Sequence, residues 1–373
     1  MTSNSIHVSA PGKVILFGEH AVVYKKAALA SAIDLRMHMT AIDSNDEKIT
    51  LKLPDINLSI DWDLSEIQHC FRRINGVCYE HVRQLLAVNA FVFLYTAIHS
   101  EAKMSPTSME ITVRSEIPIQ AGMGSSGAFC VCLASVLLQK TGLIPLASIK
   151  VSGENHTWSA EHLNMIRKFG SKAEEIIHGR ASGIDTAICA NGGLVKFQDG
   201  EIQNLKSKLS LNAILVNTKV ERNTATMVGN VRGRYDKFPE TLEPIFEAIN
   251  SITLKAEQII CTSSDDSNAA IQTDDVDAQQ DKSVTLQELC ELNNGLLVTL
   301  GVGHQKSDHV CNILKEYEMS GKITGAGGGG CVFAFAKSGT DNQRVQARLQ
   351  TEGFDVWIAP LDCPGLISHT ESN

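Results

Sequence analysis

The chain has 373 residues, 43% hydrophobic and 20% charged, with a formal net charge of −9. That length and apolar content supply about two domains with sizeable cores, while the acidic balance and the lack of any lysine or arginine run exclude a general nucleic-acid binder. Ten cysteines are scattered without a Cys-x-x-Cys pair, no charged-then-apolar leader opens the sequence, and the longest apolar run, 85–98, is too short to span a bilayer. These features predict a cytoplasmic protein with reduced thiols and no membrane segment.

Residues 6–17 read as a strand broken at Pro11-Gly12 and resuming, with Lys13 at the break. Gly18-Glu19-His20 follows, so a lysine, a carboxylate and an imidazole fall within eight residues. They either face one cleft or decorate a solvated hairpin. Residues 28–33, 36–42, 49–53 and 57–60 read as antiparallel strands separated by Ser44-Asn45-Asp46 and Pro54-Asp55. Helical spacing covers 64–73 and 79–100. In 109–115, Met109, Ile111 and Val113 alternate with Glu110, Thr112 and Arg114, the period of a half-buried strand.

That strand leads through Glu-Ile-Pro-Ile-Gln-Ala-Gly-Met-Gly-Ser-Ser-Gly-Ala (116–128) into a buried helix over 129–140. Gly122, Gly124 and Gly127 at a helix start leave backbone N–H groups unpaired and let anionic oxygen come close. The stretch is a phosphate cradle or an ordinary loop with a glycine cap. The spacing Gly122-x-Gly124-x-x-Gly127 formally fits a dinucleotide fingerprint, but the strand does not end at Gly122 and no acid lies between Phe129 and Val151. A P-loop is excluded because no lysine precedes the end of the loop.

A helix over 161–178 carries Glu174 on its last turns, and the glycine-bracketed turn 179–183 delivers Asp185 to the start of an apolar segment. Strands are predicted at 194–197, 212–218 and 331–336, and helices at 224–235, 242–260, 286–300 and 307–317. Residues 262–283, rich in Asp, Ser and Gln, read as a mobile surface loop. His304 and His309 have a spacing open to zinc, but Gly301-Val302-Gly303-His304 fits a helix end and turn better. Five glycines in the six positions 325–330 carry an entropic cost that a fold tolerates where backbone passes close to a ligand or to another loop.

Three stretches in fixed order, Pro11-Gly12-Lys13-Val14-Ile15-Leu16-Phe17-Gly18-Glu19-His20, Gly122-Met123-Gly124-Ser125-Ser126 and the run from Lys322 to Gly330, resemble the galactokinase, homoserine kinase, mevalonate kinase and phosphomevalonate kinase (GHMP) superfamily. The resemblance implies an α+β fold of two domains. Residues 1–208 would form an N-terminal α/β domain with a left-handed βαβ unit, and 209–373 a ferredoxin-like C-terminal domain, with the active site between them. Gly18 to Val23, Ser182 to Asp185, Asn217 to Val220, Arg222-Asn223-Thr224 and Leu300 to His304 are similar to the animal-type branch that phosphorylates the C5 hydroxyl of mevalonate with ATP and Mg²⁺. That branch suggests a homodimer.

By this resemblance Gly122, Met123, Gly124, Ser125, Ser126 and Gly127 would hold the ATP phosphates, Ser126 and Glu174 would ligate Mg²⁺, and Asp185 would take the hydroxyl proton beside Lys13. Glu19, His20 and Thr224 would touch substrate, and Gly325, Ala326, Gly327 and Gly328 would brace the phosphate loop. Another small-molecule kinase of the superfamily, or a non-catalytic protein on the same scaffold, is the alternative. Two departures stand out: Arg180-Ala181 replaces the usual Asn-Pro before the aspartate, and Gly127 stands where alanine is usual.

Overall fold

Strand β1 (Ile6–Phe17) is continuous, and the predicted break survives inside it as a register shift between Pro11 and Gly12 against β2 (Ala28–Asp43). An irregularity of this kind re-aims the side chains that follow it, here Lys13. The two strands predicted within 28–42 are likewise one, β2. In the computed structural model, residues 5–67, 83–118, 121–179, 183–221, 223–261, 275–337 and 341–369 are described.

Around β1 and β2 grows a ten-stranded sheet, to which β3 (Lys48–Leu53), β4 (Leu58–Asp63), β5 (Met109–Ser115), β6 (Ile149–Ser152), β7 (Asn155–Thr157), β8 (Leu194–Gln198) and β9 (Glu201–Leu205) belong. A second, four-stranded sheet is antiparallel, with β11 (Lys322–Ile323), β12 (Cys331–Phe335), β10 (Asn212–Asn217) and β13 (Asp355–Pro360) in that spatial order. The last strand, β14 (Ile367–His369), returns to the first sheet, whose order is β4-β3-β5-β2-β1-β14-β7-β6 with β8 beside β2 and β9 beside β8. Strands β3 and β5 run parallel, with helix α1 (Arg83–Glu101) between them in the chain. We keep the proposed domain boundary at 208/209, where the chain passes from β9 to β10 and changes sheet.

Helix α2 (Ser125–Lys140) is buried all round from Gly127 to Gln139. Its near-continuous apolar sequence is what such an environment requires. It packs against β1 and against helices α3 (Ala160–His178) and α4 (Ile184–Asn191). The second sheet is covered on both faces: Ala213 and Leu215 of β10 join the main core while Ile214 and Val216 join a separate cluster with Val310 and Leu314. Period-two alternation therefore feeds two cores from one strand.

The remaining helices are α5 (Thr224–Lys237), α6 (Pro239–Cys261), α7 (Asp275–Thr299), α8 (Gln305–Glu316) and α9 (Asp341–Thr351). The loop expected over 262–283 is corrected in part, because α7 begins at Asp275 and is extended well ahead of the predicted start at Leu286. Residues 262–274 lie outside the described residues. Of the helix expected over 64–73, residues 64–67 are helical and the rest lies outside the described residues. Among the described residues no helix is long and apolar enough to cross a membrane.

Because α2 is enclosed on every side, its apolar side chains have no room to relax. Leu133→Ala, at a position with 0% exposure, is expected to cost about 2–5 kcal/mol, measured as a fall in chemical-denaturation midpoint with unchanged slope.

Candidate active site

Four segments converge at the N-terminus of α2. Lys13 donates its backbone N–H to the Met123 carbonyl at 2.9 Å, which ties β1 to the glycine loop. The approach is close enough that a Cβ at Gly124, where φ is +77°, would fall 2.7 Å from Lys13 Cγ. Glycine is the residue that this backbone admits. No side chain caps the first turn of α2. The amides of that turn are therefore open to an anion, and the helix dipole favours one there.

Asp185 lies in the first turn of α4, and its Oδ1 stands 3.0 Å from Lys13 Nζ. At Gly127 a Cβ would meet the Asp185 backbone and Cβ at 3.0 Å. The glycine found in place of the usual alanine spares a shift of a few tenths of an ångström between α2 and α4. A hydroxyl contact between Ser171 and Thr186, 2.8 Å, joins α3 to α4 from the side.

From α3 comes Glu174, 3% exposed, whose Oε2 has no hydrogen-bond partner. Burial, and then the negative charge of Asp185, push its carboxyl up to about 8, with Lys13 opposing. An orphaned carboxylate oxygen beside a second carboxylate is a cation's environment. Ser126 Oγ is 2.9 Å from Nε2 of His178, the last residue of α3. Burial lowers the His178 pKa, with the negative charge of Asp185 opposing. Sequence reasoning passed over His178; its place between the Glu174 helix and the Asp185 turn was the available signal.

The Glu19 side chain is 0% exposed, paired with the equally buried Lys322 and accepting from Asn293 Nδ2 at 3.2 Å. Burial raises its pKa, and Lys322 opposes this. The Lys322 ammonium also donates to the Ile323 carbonyl at 2.9 Å and lies 5.7 Å and 5.8 Å from the ring centres of Phe17 and Phe333. His20, at φ 61°, has its Nε2 2.9 Å from the Ala326 carbonyl. Thr224 is exposed at the start of α5, which Asn223 caps. Arg222 and residues 180–182, with the Arg180-Ala181 departure, lie outside the described residues.

In the glycine run, the atoms nearest to Gly327, Gly328 and Gly329 belong to Val302, Met227 and Val220, at 2.4–2.6 Å from a notional Cβ. The run reaches the first domain through Thr324 Oγ1, which donates to the Ile15 carbonyl at 2.9 Å, and through His20. His304 and His309 are engaged separately, the first capping α8 and the second 3.3 Å from Glu352.

An uncapped helix start, a paired lysine and aspartate and an unpartnered carboxylate meet at one end of α2, a set of groups suited to an anion, a cation and a transferred proton. The GHMP kinases N terminal domain matches residues 88–193 and the GHMP kinases C terminal domain matches 282–355. Mevalonate kinase of Bos taurus is 36% identical over 397 aligned residues, covering 100% of this chain and 97% of that protein. The solved mevalonate kinase of Methanococcus jannaschii is 24% identical with a TM-score of 0.72, covering 97% of this chain and 99% of that one. That of L. major, in complex with R-mevalonate, is 16% identical with a TM-score of 0.70, covering 95% of each chain. The chain belongs to the mevalonate kinase family, and it is an ATP-using kinase.

The buried Glu19–Lys322 pair joins the β1 end to β11. Lys322→Met is expected to cost about 3–5 kcal/mol by stranding the carboxylate, and Glu19→Gln/Lys322→Met to cost clearly less. Thermal unfolding of both variants at one pH checks this.

Proposed function

We propose that the protein transfers the γ-phosphoryl group of ATP to the C5 hydroxyl of (R)-mevalonate, giving 5-phosphomevalonate and ADP for isoprenoid synthesis. The observation that carries this reading is the Lys13–Asp185 pair, 3.0 Å apart beside the open start of α2. In the proposed reaction the amides of Gly122 to Gly127 hold the triphosphate. The O5–P bond forms as the bond from phosphorus to the ADP oxygen breaks, and the O5 proton passes to Asp185. Lys13 offsets the charge that gathers on the alkoxide and phosphoryl oxygens. His20 and Thr224 contact substrate.

Ser126 and Glu174 would hold Mg²⁺, and the orphaned Oε2 of Glu174 supports that fit. Mg²⁺ when bound supplies charge neutralisation to the phosphates. A cytoplasmic homodimer completes the reading; the free thiols at all eight cysteines among the described residues agree with a reducing compartment.

Asp185→Ala is expected to lower kcat by about 10²–10⁴-fold with ATP affinity retained, and Lys13→Met to lower it by about 10²–10³-fold. Steady-state kinetics with mevalonate, phosphomevalonate, galactose and homoserine check both the roles and the substrate. Turnover on galactose but not mevalonate, or an undiminished rate in Asp185→Ala, overturns the proposal.

A carboxyl raised to about 8 holds its proton below that pH and must release it to bind a cation. The Mg²⁺ concentration needed for half-saturation is therefore expected to fall as pH rises from 6.5 toward about 8. Glu174→Gln should raise the requirement and flatten its pH dependence. Calorimetric titration of Mg²⁺ into the nucleotide complex across that range reads both.

A further inference from the structure

Sequence spacing drew attention to His304 and His309, but the fold gathers three other histidines. His7 of β1 lies directly opposite His369 of β14, and Ser9, two residues along β1, lies opposite His38 of β2. A period of two puts His7, Ser9, His38 and His369 on one face, the one turned away from the main core that takes Val8 and Ala10. The ring centroids of His7 and His369 are 4.4 Å apart, and those of His38 and His369 are 5.8 Å apart.

We propose that His7, His38 and His369 form a binding site for a divalent transition-metal ion, Zn²⁺ being the natural occupant, that fastens β14 to the β1–β2 pair. One ring nitrogen from each lies within 4.8 Å of the others. Two tetrahedral Zn–N bonds of about 2.0–2.1 Å place their nitrogens roughly 3.4 Å apart, and His7 Nε2 and His38 Nδ1 are already at 3.3 Å. A modest side-chain rotation of His369 closes the third edge. Three imidazoles suit zinc, copper or nickel and do not suit Mg²⁺ or Ca²⁺, so the site is chemically distinct from that of Glu174. It lies six residues along β1 from Lys13, roughly 20 Å at the usual rise of a strand.

The hydrogen bonds of His369 suit a ligand. Asn155 Oδ1, an acceptor, is 2.9 Å from His369 Nδ1, which fixes the N–H there and leaves the lone pair on Nε2. In the metal-free state that lone pair takes the Ser9 hydroxyl at 2.9 Å. His7 and His38 also line an open groove of about 460 Å³ with Asp55 and Glu116 among its walls, which leaves a fourth position to water or a carboxylate. Two cations act against the site: Arg36, whose Nε donates to Ser9 at 2.8 Å and whose backbone N–H donates to Glu116 at 3.0 Å, and Arg114, which lines the same groove.

Chelator-stripped full-length protein titrated with ZnSO₄ against a chromophoric zinc chelator tests the proposal, together with thermal unfolding. One equivalent of bound zinc is expected, and a rise in Tm of about 3 °C at a hundredfold excess over Kd. Both should be lost in His7→Gln and in His38→Gln, and both should be kept in His304→Gln/His309→Gln. Retained zinc-free kinase turnover in His7→Gln establishes that this variant is folded. Unchanged stoichiometry and Tm shift in His7→Gln and His38→Gln, or no binding by the parent chain at 100 µM zinc, would overturn the site.

Discussion

The Lys13 ammonium is one cation serving two carboxylates, and the rest of the cleft is arranged around that imbalance. Its pairing with Asp185 at 3.0 Å leaves Glu174 buried without a partner of its own. A buried carboxylate and a partly exposed one share one lysine, and burial together with the negative charge of Asp185 raises the Glu174 carboxyl to about 8. Placing that deficit beside the unpaired amides of α2 produces a pocket that accepts a polyanion and its cation together more readily than either alone. The backbone serves the same end: a carbonyl of the glycine loop holds the lysine's own amide, and two glycines remove the Cβ atoms that would crowd β1, α2 and α4.

Much of this was legible in the sequence because it is local. Strand β5 has the bounds that alternation gave it, α2 is the buried helix its apolar run required, and the lysine, the glycine loop and the aspartate each stand in a short motif with a physical reason for its residues. What escaped depends on pairing across long separations. Glu19 looks like a cleft carboxylate when read beside Lys13 and His20, and only a lysine 303 positions later explains why it is buried. His178 carries no motif, and its contact with Ser126 arises because α3 ends where α2 begins. The three clustered histidines are far apart in the chain and share a face only through strand register. The acidic composition after Cys261 hid the early start of α7, since a solvated helix and a solvated loop draw on the same residues.

The two domains meet through side chains that are dry as well as through the cleft. Phe333 and Phe335 of β12 belong to the same apolar cluster as Val14 and Leu16 of β1, and the Glu19–Lys322 pair lies within that seam, with Phe17 and Phe333 beside the ammonium. The glycine run closes one edge of the seam by fitting backbone against Val302, Met227 and Val220. Packing of this density transmits displacement as rigid movement, so a shift of β11 would be felt at the base of β1, a few residues from Lys13.

Strand β14 stands in the interior of the first sheet, between β1 and β7, yet His369 is separated from its neighbour Ser9 by 360 positions. During synthesis β1 emerges long before β14, so that side of it, over His7 to Ser9, stays unpaired until the later strand is made. Until then β1 shows an open hydrogen-bonding edge, the surface that sheets use to join one another wrongly. Co-translational folding thus leaves an early segment waiting for a partner that the chain delivers late.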